Sequence, residues 1–358
     1  MKVLHVLRHL NPGGIECWLE RLCQHWKAPS RPEFHFALED PECGTLVPTF
    51  CNLGVRFHHV PTPSDFGSAM SGWHRLFSRE GPFDVVHSHI HHASILPLIW
   101  AQKAQVPVRI AHSHADLRHM PNSLFRSLYF RLARRLLPLV ASRRIATSAG
   151  AACDLFGSAE AATDLFPCGL DFEPFFAMQH RAVSRRFTLV HVGRFVPEKN
   201  HEFLLRLFAA YHREDPETRL LLIGDGPLRQ AIESLCCRLG VASAVDFAGS
   251  SNQVAPLLAQ ADLFVFPSLS EGLGLAAIEA QAAGLPVLLA SHLPEELDLF
   301  PNRIRRLALN LPMDQWMGSI RELRNLPPLD AHQRRLRLAD SPFTITANIR
   351  MLEKIYAF

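Results

Sequence analysis

The sequence predicts an α/β protein made of two successive doubly wound halves, and three observations carry that prediction. Short apolar runs recur, each followed by a polar or glycine turn and then a helical pattern, the mark of strands covered on both faces by helices. The alternation pauses once: from Phe166 to Arg186, "FPCGLDFEPFFAMQHRAVSRR" has no clean period and ends in a basic, polar stretch. It then restarts in the same form. A linker is expected at the pause, with a first domain over 1–178 and a second over 179–340. Ligands are expected at the carboxyl ends of the strands and in the cleft between the domains.

The strands of the first half are "KVLHVL", "FHFALE", "RFHHVP", "DVVHSH", "VRIAHSH" and "RRIATS". Those of the second are "FTLVHVGRF", "RLLLIGDG", "AVDFAGS", "DLFVFPS" and "PVLLAS", spaced by helices such as "KNHEFLLRLFAAYHRED" and "PLRQAIESLCCRLG". The tail "TANIRMLEKIYAF", within 341–358, reads as one more amphipathic helix.

With 358 residues, 48% of them hydrophobic and 20% charged, the chain can fill two packed cores, which excludes disorder. A net charge of +3 is too small to argue for nucleic acid. Cys17, Cys23, Cys43, Cys51, Cys153, Cys168, Cys236 and Cys237 form no CxxC pair and fit neither a zinc set nor a disulfide framework, so reduced cytosolic thiols are expected. His5, Arg8 and His9 break the N-terminal apolar run before a signal-peptide core develops. No apolar run approaches the roughly 20 residues that span a bilayer, and the expected location is cytoplasmic. Between Leu117 and Cys153, however, there is no acid. Arg118, Arg126, Arg131, Arg134, Arg135, Arg143 and Arg144 alternate there with Phe125, Leu128, Tyr129, Leu132 and Leu136 at helical spacing. Two readings fit residues 118–144: a packed surface helix with solvated arginines, or a basic amphipathic helix lying on an anionic membrane surface.

Several turns offer ligand contacts. Gly13 and Gly14 follow the first strand and precede a helix, exposing backbone N–H groups at a positive helix end. Arg194 and Lys199 flank the next such turn, where a guanidinium fork and a mobile ammonium can converge on one diphosphate; the alternative is a solvated helix start with Glu198 pairing to one of them. In "LLIGDGPLR" the glycines Gly224 and Gly226 chiefly permit a turn, over which a base or ribose can lie. "SLSEGLGLAAIEAQAAG" sets Glu271 and Glu279 eight positions apart. Eight helical steps climb about 12 Å, so the two carboxylates cannot meet on one helix. Glu279 is expected on the helix and Glu271 in the loop, with Gly272 and Gly274 exposing N–H groups at the helix start. "GLGLAA" formally matches a dinucleotide fingerprint, but "PSLSE" separates it from its strand and no acid closes "PVLLAS", which argues against a nicotinamide site.

Six of the 20 histidines, His87, His89, His91, His92, His112 and His114, concentrate in two strand ends of the first half. Alternation puts His87, His89 and His91 on one strand face, which invites a zinc reading. No HExxH helix or carboxylate ligand accompanies them, and a histidine at a strand end can instead bond a sugar hydroxyl or carry a proton.

With these residues in view, the chain resembles the retaining glycosyltransferases of family 4, in the two-domain GT-B fold, and among them bacterial capsular and exopolysaccharide members. The resemblance runs through "GGIE", "DVVHSH", "RIAHSH", "GLD", "VGRFVPEKN", "IGDGP", "DFAG" and "FPSLSEGLGLAAIEAQAAGLPV", the last a full E-x7-E motif. It implies two Rossmann-like domains facing a central cleft, an acceptor-side domain followed by a nucleotide-sugar-binding one, and a C-terminal helix over 341–358 that crosses back to the first. By the same resemblance, Arg194 and Lys199 bind the donor diphosphate and stabilise its leaving charge. Glu279 receives the ribose hydroxyls. Glu271 faces the donor sugar, with the amides of Gly272, Leu273, Gly274 and Leu275 near sugar and phosphate, and Gly224 joins the donor contacts. Gly14 approaches the donor phosphate from the first domain, and His114, with His112 as second choice, stands beside the transferred sugar.

The implied reaction moves a sugar with retention from a nucleotide sugar, a UDP-sugar by expectation, to a glycan or lipid-linked acceptor at the membrane face, after domain closure. Retention is ascribed to front-face attack, so the two glutamates are not the acid and nucleophile of a glycosidase. No Asp-x-Asp occurs, and neither a metal nor a cofactor is expected. Cys168 in "PCGLD" replaces the Asn-Gly common at the interdomain turn and alters a hinge contact, while Ile15 and the bulky Trp18 alter acceptor packing. Two rivals remain: a UDP-sugar 2-epimerase of the same fold, and an inactive membrane-bound scaffold.

Overall fold

The computed structural model describes residues 1–40, 42, 44–61, 66–118, 124–162, 164–177, 186–251, 253–327 and 329–357. The expected 178/179 boundary lies outside the described residues, as do linker residues 179–185, Cys43, residues 119–123 of the basic segment and the side chains of Phe125 and Arg126. The chain divides earlier than that boundary, into a unit of Met1–Leu170 with Pro342–Phe358 and a unit of Asp171–Ser341.

The first unit holds a parallel sheet of β1 (Lys2–Leu7), β2 (Glu33–Leu38), β3 (Arg56–His59), β4 (Val85–Ser88), β5 (Val108–Ser113), β6 (Arg143–Ala146) and β7 (Asp164–Leu165). Their order is β3-β2-β1-β4-β5-β6-β7. Alternation sorts the faces. Leu4, Val6, Ala37, Val86 and Ala111 join one apolar core, whereas His5 and His87, register partners across β1 and β4, point to the other face. β7 escaped the sequence reading because two residues at a sheet edge leave no period to detect.

The C-terminal segment closes this unit. Leu170 and Ile345 exchange strand-like bonds with Phe343 and Leu170 (Leu170 N–H to Phe343 O, 2.7 Å; Ile345 N–H to Leu170 O, 3.0 Å). Thr344 then caps the helix Ile345–Tyr356 by accepting from the Ala347 N–H. A Cβ on Gly169 would lie 2.8 Å from Asn348, so the "CGL" turn needs its glycine for close approach.

The basic segment forms a helix over Leu124–Val140. Phe130, Ala133 and Leu137 face inward, while Leu128, Tyr129, Leu132 and Leu139 are exposed. Its arginines divide: Arg118 pairs with Asp116 and Arg134 with Asp154, Arg143 and Arg144 belong to β6, and Arg131 and Arg135 are exposed on the helix. Among the described residues no helix is long and apolar enough to cross a membrane.

The second unit holds β8 (Thr188–Val192), β9 (Arg219–Ile223), β10 (Val245–Gly249), β11 (Leu263–Phe266), β12 (Val287–Ala290) and β13 (Ile304–Leu307), all parallel, in the order β10-β9-β8-β11-β12-β13. β13 was hidden in the sequence by its arginines. Arg305 pairs with Glu322 and Arg306 with Asp298, so an edge strand carries charge without burying it alone. In both sheets the strand order reverses beside the first strand, between β1 and β4 and between β8 and β11. Those two points are where open parallel sheets leave room for ligands.

Candidate functional site

In the second unit the turn after β8 and the turn after β9 are built against each other. Gly193 N–H bonds Ile223 O, Phe195 N–H bonds Asp225 O and Leu228 N–H bonds Phe195 O. Gly224, at φ +137°, passes so close that a Cβ would stand 2.1 Å from Gly193 O. Its own N–H is committed to Gly249 O at 2.8 Å. Gly224, expected among donor contacts, therefore shapes the turn and offers no free amide.

Lys199 ends a short 3-10 turn, Pro197–Lys199, and Asn200 follows it in the left-handed region (φ 54°) before the helix His201–Glu214. The Asn200 side-chain amide donates to Pro267 O, and Leu269 N–H donates to Glu198 O at 2.7 Å, so the loops after β8 and β11 are stitched together at the switch point. This stitching sets Lys199 Nζ 2.5 Å from Glu271 Oε1 and 5.1 Å from the Phe266 ring centre. Both charged side chains are mostly covered, at 19% and 10% exposure. The alternative of a local pair with Glu198 is not what the loop does: the lysine's partner is Glu271, which lies far along the sequence.

Two histidines lie beneath the lysine and were missed in the sequence because each reads as a core position. His191 bonds Val265 O through Nδ1, and its Nε2 has no hydrogen-bond partner among the described residues; neither has either nitrogen of His201. Burial, and after it the nearby Lys199 charge, pushes His201 down to about 4. Burial, with His201 next, holds His191 well below its ordinary value. Both stay neutral under an ammonium.

Glu271 lies in the loop and Glu279 in the helix Leu275–Ala282. The helix begins after Gly274 (φ 91°) without a side-chain cap, leaving first-turn N–H groups at its open end. Leu273 is buried, so only its backbone can face a ligand, and Glu279 is buried on the helix. "GLGLAA" does not turn directly off its strand, since residues 267–274 intervene between β11 and the helix. Arg194 is exposed, and its guanidinium makes no hydrogen bond or ion pair among the described residues. The structure thus brings Lys199 and Glu271 together and leaves Arg194 uncommitted on the same loop.

In the first unit the histidines form two hydrogen-bonded rows. His5 Nδ1 meets His89 Nε2 at 2.9 Å, His89 Nδ1 meets His114 Nε2 at 2.9 Å, and His114 Nδ1 lies 3.6 Å from Cys168 Sγ. In the second row the Tyr356 hydroxyl, His87 and His112 are linked at 2.8 and 3.0 Å. A neutral imidazole has one donor and one acceptor, so two adjacent imidazolium rings would set N–H against N–H, whereas neutral rings can pass hydrogen bonds along each row. Burial enforces this, pushing His5 and His114 down to about 3 and His87, His89 and His112 well below the ordinary range. Of the two candidates for a sugar contact, His112 is fully buried and His114 keeps some exposed surface. His91 leaves the common face expected of it. A positive φ of 55° turns it toward His92 and Asp154.

Trp18 is completely buried, bonds Asn348 Oδ1 through its indole N–H at 2.9 Å, and packs against His87, His89, His112, His114 and Phe166. Its bulk covers the histidine rows. At the preceding turn Glu16 folds back, so that a Cβ on Gly13 would lie 2.5 Å from Glu16 Oε2. The positive start of the helix Gly14–His25 already faces a carboxylate. An anion approaching Gly14 meets that charge.

Two doubly wound parallel-sheet units define the class first, and their solved neighbours give the fold as GT-B. Anabaena HepE, crystallised with UDP and glucose, superposes over 100% of both chains with a TM-score of 0.76 at 18% identity. WaaG, a glycosyltransferase involved in lipopolysaccharide biosynthesis, covers 99% of both chains with a TM-score of 0.73 at 17% identity. Residues 13–169 match the glycosyl transferase 4-like domain and residues 173–306 the glycosyl transferases group 1 family. EpsF of Bacillus subtilis (strain 168), named as a glycosyltransferase, is 31% identical over 333 residues, 89% of this chain and 86% of EpsF. The D-inositol 3-phosphate glycosyltransferase of Streptomyces scabiei is 31% identical over 60% of this chain and 54% of its own. The chain belongs to the group 1 glycosyltransferases.

Proposed function

We propose that this glycosyltransferase takes its sugar from a UDP-sugar, transfers it with retention and without a metal, and extends a lipid-linked glycan in surface polysaccharide synthesis at an anionic membrane face. The observation that carries the donor reading is the Lys199 to Glu271 pair at the β8/β11 switch point. A mostly covered ion pair adds little net stability after its desolvation cost, so its placement calls for another reason. A donor diphosphate draws the ammonium from the carboxylate, the exposed Arg194 closes on the same phosphates, and Glu271 is released to accept from sugar hydroxyls. The N–H groups at the start of Leu275–Ala282 add to the anion's field, and Glu279 on that helix holds the ribose. As the glycosidic bond breaks, the phosphate oxygen takes the negative charge under Lys199 and Arg194 and then the acceptor's proton.

The exposed Leu128, Tyr129, Leu132 and Leu139 with Arg131 and Arg135 support the membrane face, in a stretch that lacks any acid from Leu117 to Cys153. Crystallisation of HepE with UDP supports the UDP donor, and the part WaaG takes in lipopolysaccharide biosynthesis supports the polysaccharide setting. Calorimetric titration of UDP tests the site. The native chain should bind one UDP, with Lys199→Ala and Arg194→Ala each weakening it at least tenfold. Unchanged affinity in both variants overturns the assignment.

A further inference from the structure

We propose that His35, His58 and Glu80, at the β3 edge of the first sheet, bind one divalent transition-metal ion of the zinc type, a site separate from the sugar chemistry. His35 on β2 and His58 on β3 share a sheet face, since His58 pairs with Ala37, two residues beyond His35. His35 Nδ1 and His58 Nε2 point at each other across 2.8 Å, with ring planes only 4° apart. Glu80, the last residue of the helix Phe66–Glu80, brings a carboxylate so that all three ligand atoms lie within 4.8 Å of one another. Two nitrogens on a tetrahedral zinc stand about 3.3 Å apart, given bonds of about 2.0 to 2.1 Å. Admitting the ion therefore means opening the existing contact by about half an ångström.

The surroundings suit a metal better than an empty polar cluster. Glu33 Oε1 accepts from His35 Nε2 at 3.1 Å, which fixes the tautomer that leaves the Nδ1 lone pair toward His58. His58 then carries its proton on Nδ1 when Nε2 is the ligand. The Glu80 carboxylate has no hydrogen bond or ion pair among the described residues, while its backbone carbonyl takes the Lys2 ammonium. Lys2 also sits over the Phe83 ring and Arg56 is engaged by Glu33 at 3.0 Å, so the neighbouring cations are already occupied. His58 and Glu80 are half-buried, which leaves a fourth position for water. The larger histidine rows also bring three imidazoles within reach of one another. They contain no carboxylate, however, and an ion there would place two uncompensated charges in a dry interior.

Bound metal would tie the four-residue edge strand β3 to β2 and to the helix end, steadying an open sheet edge. The test uses the full chain stripped of metal and titrated with zinc chloride by calorimetry and thermal shift. One zinc per chain and a raised melting temperature are expected, with affinity falling at least tenfold in His58→Gln and Glu80→Gln. Glu33→Ala should cost about 10- to 100-fold through loss of the acceptor that orients His35. Glu80→Gln is the decisive variant because its carboxylate makes no hydrogen bond or ion pair among the described residues, and its unchanged metal-free melting curve confirms the fold. No stoichiometric binding by the native chain, or native affinity in both His58→Gln and Glu80→Gln, overturns the proposal.

Discussion

Lys199 and Glu271 neutralise each other at 2.5 Å while mostly covered, so removing either strands the other. Lys199→Ala should destabilise the second unit by about 1 to 3 kcal/mol through the unpaired carboxylate and slow transfer by roughly 100- to 1,000-fold through the lost phosphate contact. Adding Glu271→Gln removes the stranded charge, so the double variant should regain most of the stability and none of the activity. Denaturant titration beside a turnover assay checks this, and a double variant that recovers activity with stability would show the pair to be structural. Gly224→Ala is a second residue-scale case. Its Cβ would meet Gly193 O at 2.1 Å at a φ of +137°, so two loops must part, and donor binding should fail together with stability in the second unit. A stable Gly224→Ala chain binding UDP normally would refute the close turn.

At the scale of elements, the helix Ile345–Tyr356 is fastened to the first unit by Asn348 on Trp18 and by Tyr356 on His87. Asn348→Ala leaves a buried indole N–H without its acceptor and should cost about 1 to 3 kcal/mol, measurable as a lower denaturant midpoint; an unchanged midpoint would mean the bond contributes nothing net. The helix Leu124–Val140 presents the opposite case, an exposed face with four large apolar side chains and two arginines. Replacing Leu128, Leu132 and Leu139 by serine should abolish sedimentation with phosphatidylglycerol vesicles while sparing transfer to a soluble acceptor analogue. Equal sedimentation of the variant would remove the membrane role from this helix.

At the scale of the whole molecule, the buried histidines make stability a function of pH. The folded rings of His5 and His114 resist protonation down to about 3, whereas unfolded imidazoles take a proton near 6.5. Because the folded values are depressed, this stability is fully present above about pH 6.5 and is lost as pH falls toward 3. Each such histidine contributes a slope of about 1.4 kcal/mol per pH unit in that window. The melting temperature should therefore drop steeply between pH 6.5 and 5, and a flat profile over that range would contradict neutral burial.

Much of this architecture was legible in the sequence because parallel strands covered on both faces must be apolar throughout, and glycine turns punctuate them. The loop position of Glu271 and the helical position of Glu279 followed from the rise of a helix together with the glycines Gly272 and Gly274 that lie between them. What stayed hidden depended on contacts far apart in sequence. Nothing local marks Glu271 as the partner of Lys199, Trp18 as the cover of the histidines, or Glu80 as the neighbour of His35 and His58. Edge strands were hidden too, β7 by its length and β13 by arginines whose acidic partners lie on other elements.

The proposed reaction is transfer of a sugar with retention from a UDP-sugar. Its most direct measurement is proton NMR of the reaction with an α-linked UDP-sugar and an acceptor. An α-linked product is expected, formed only when the acceptor is present and lost in Lys199→Ala. A β-linked product, or a UDP-sugar isomerised at C2 without acceptor, would contradict it.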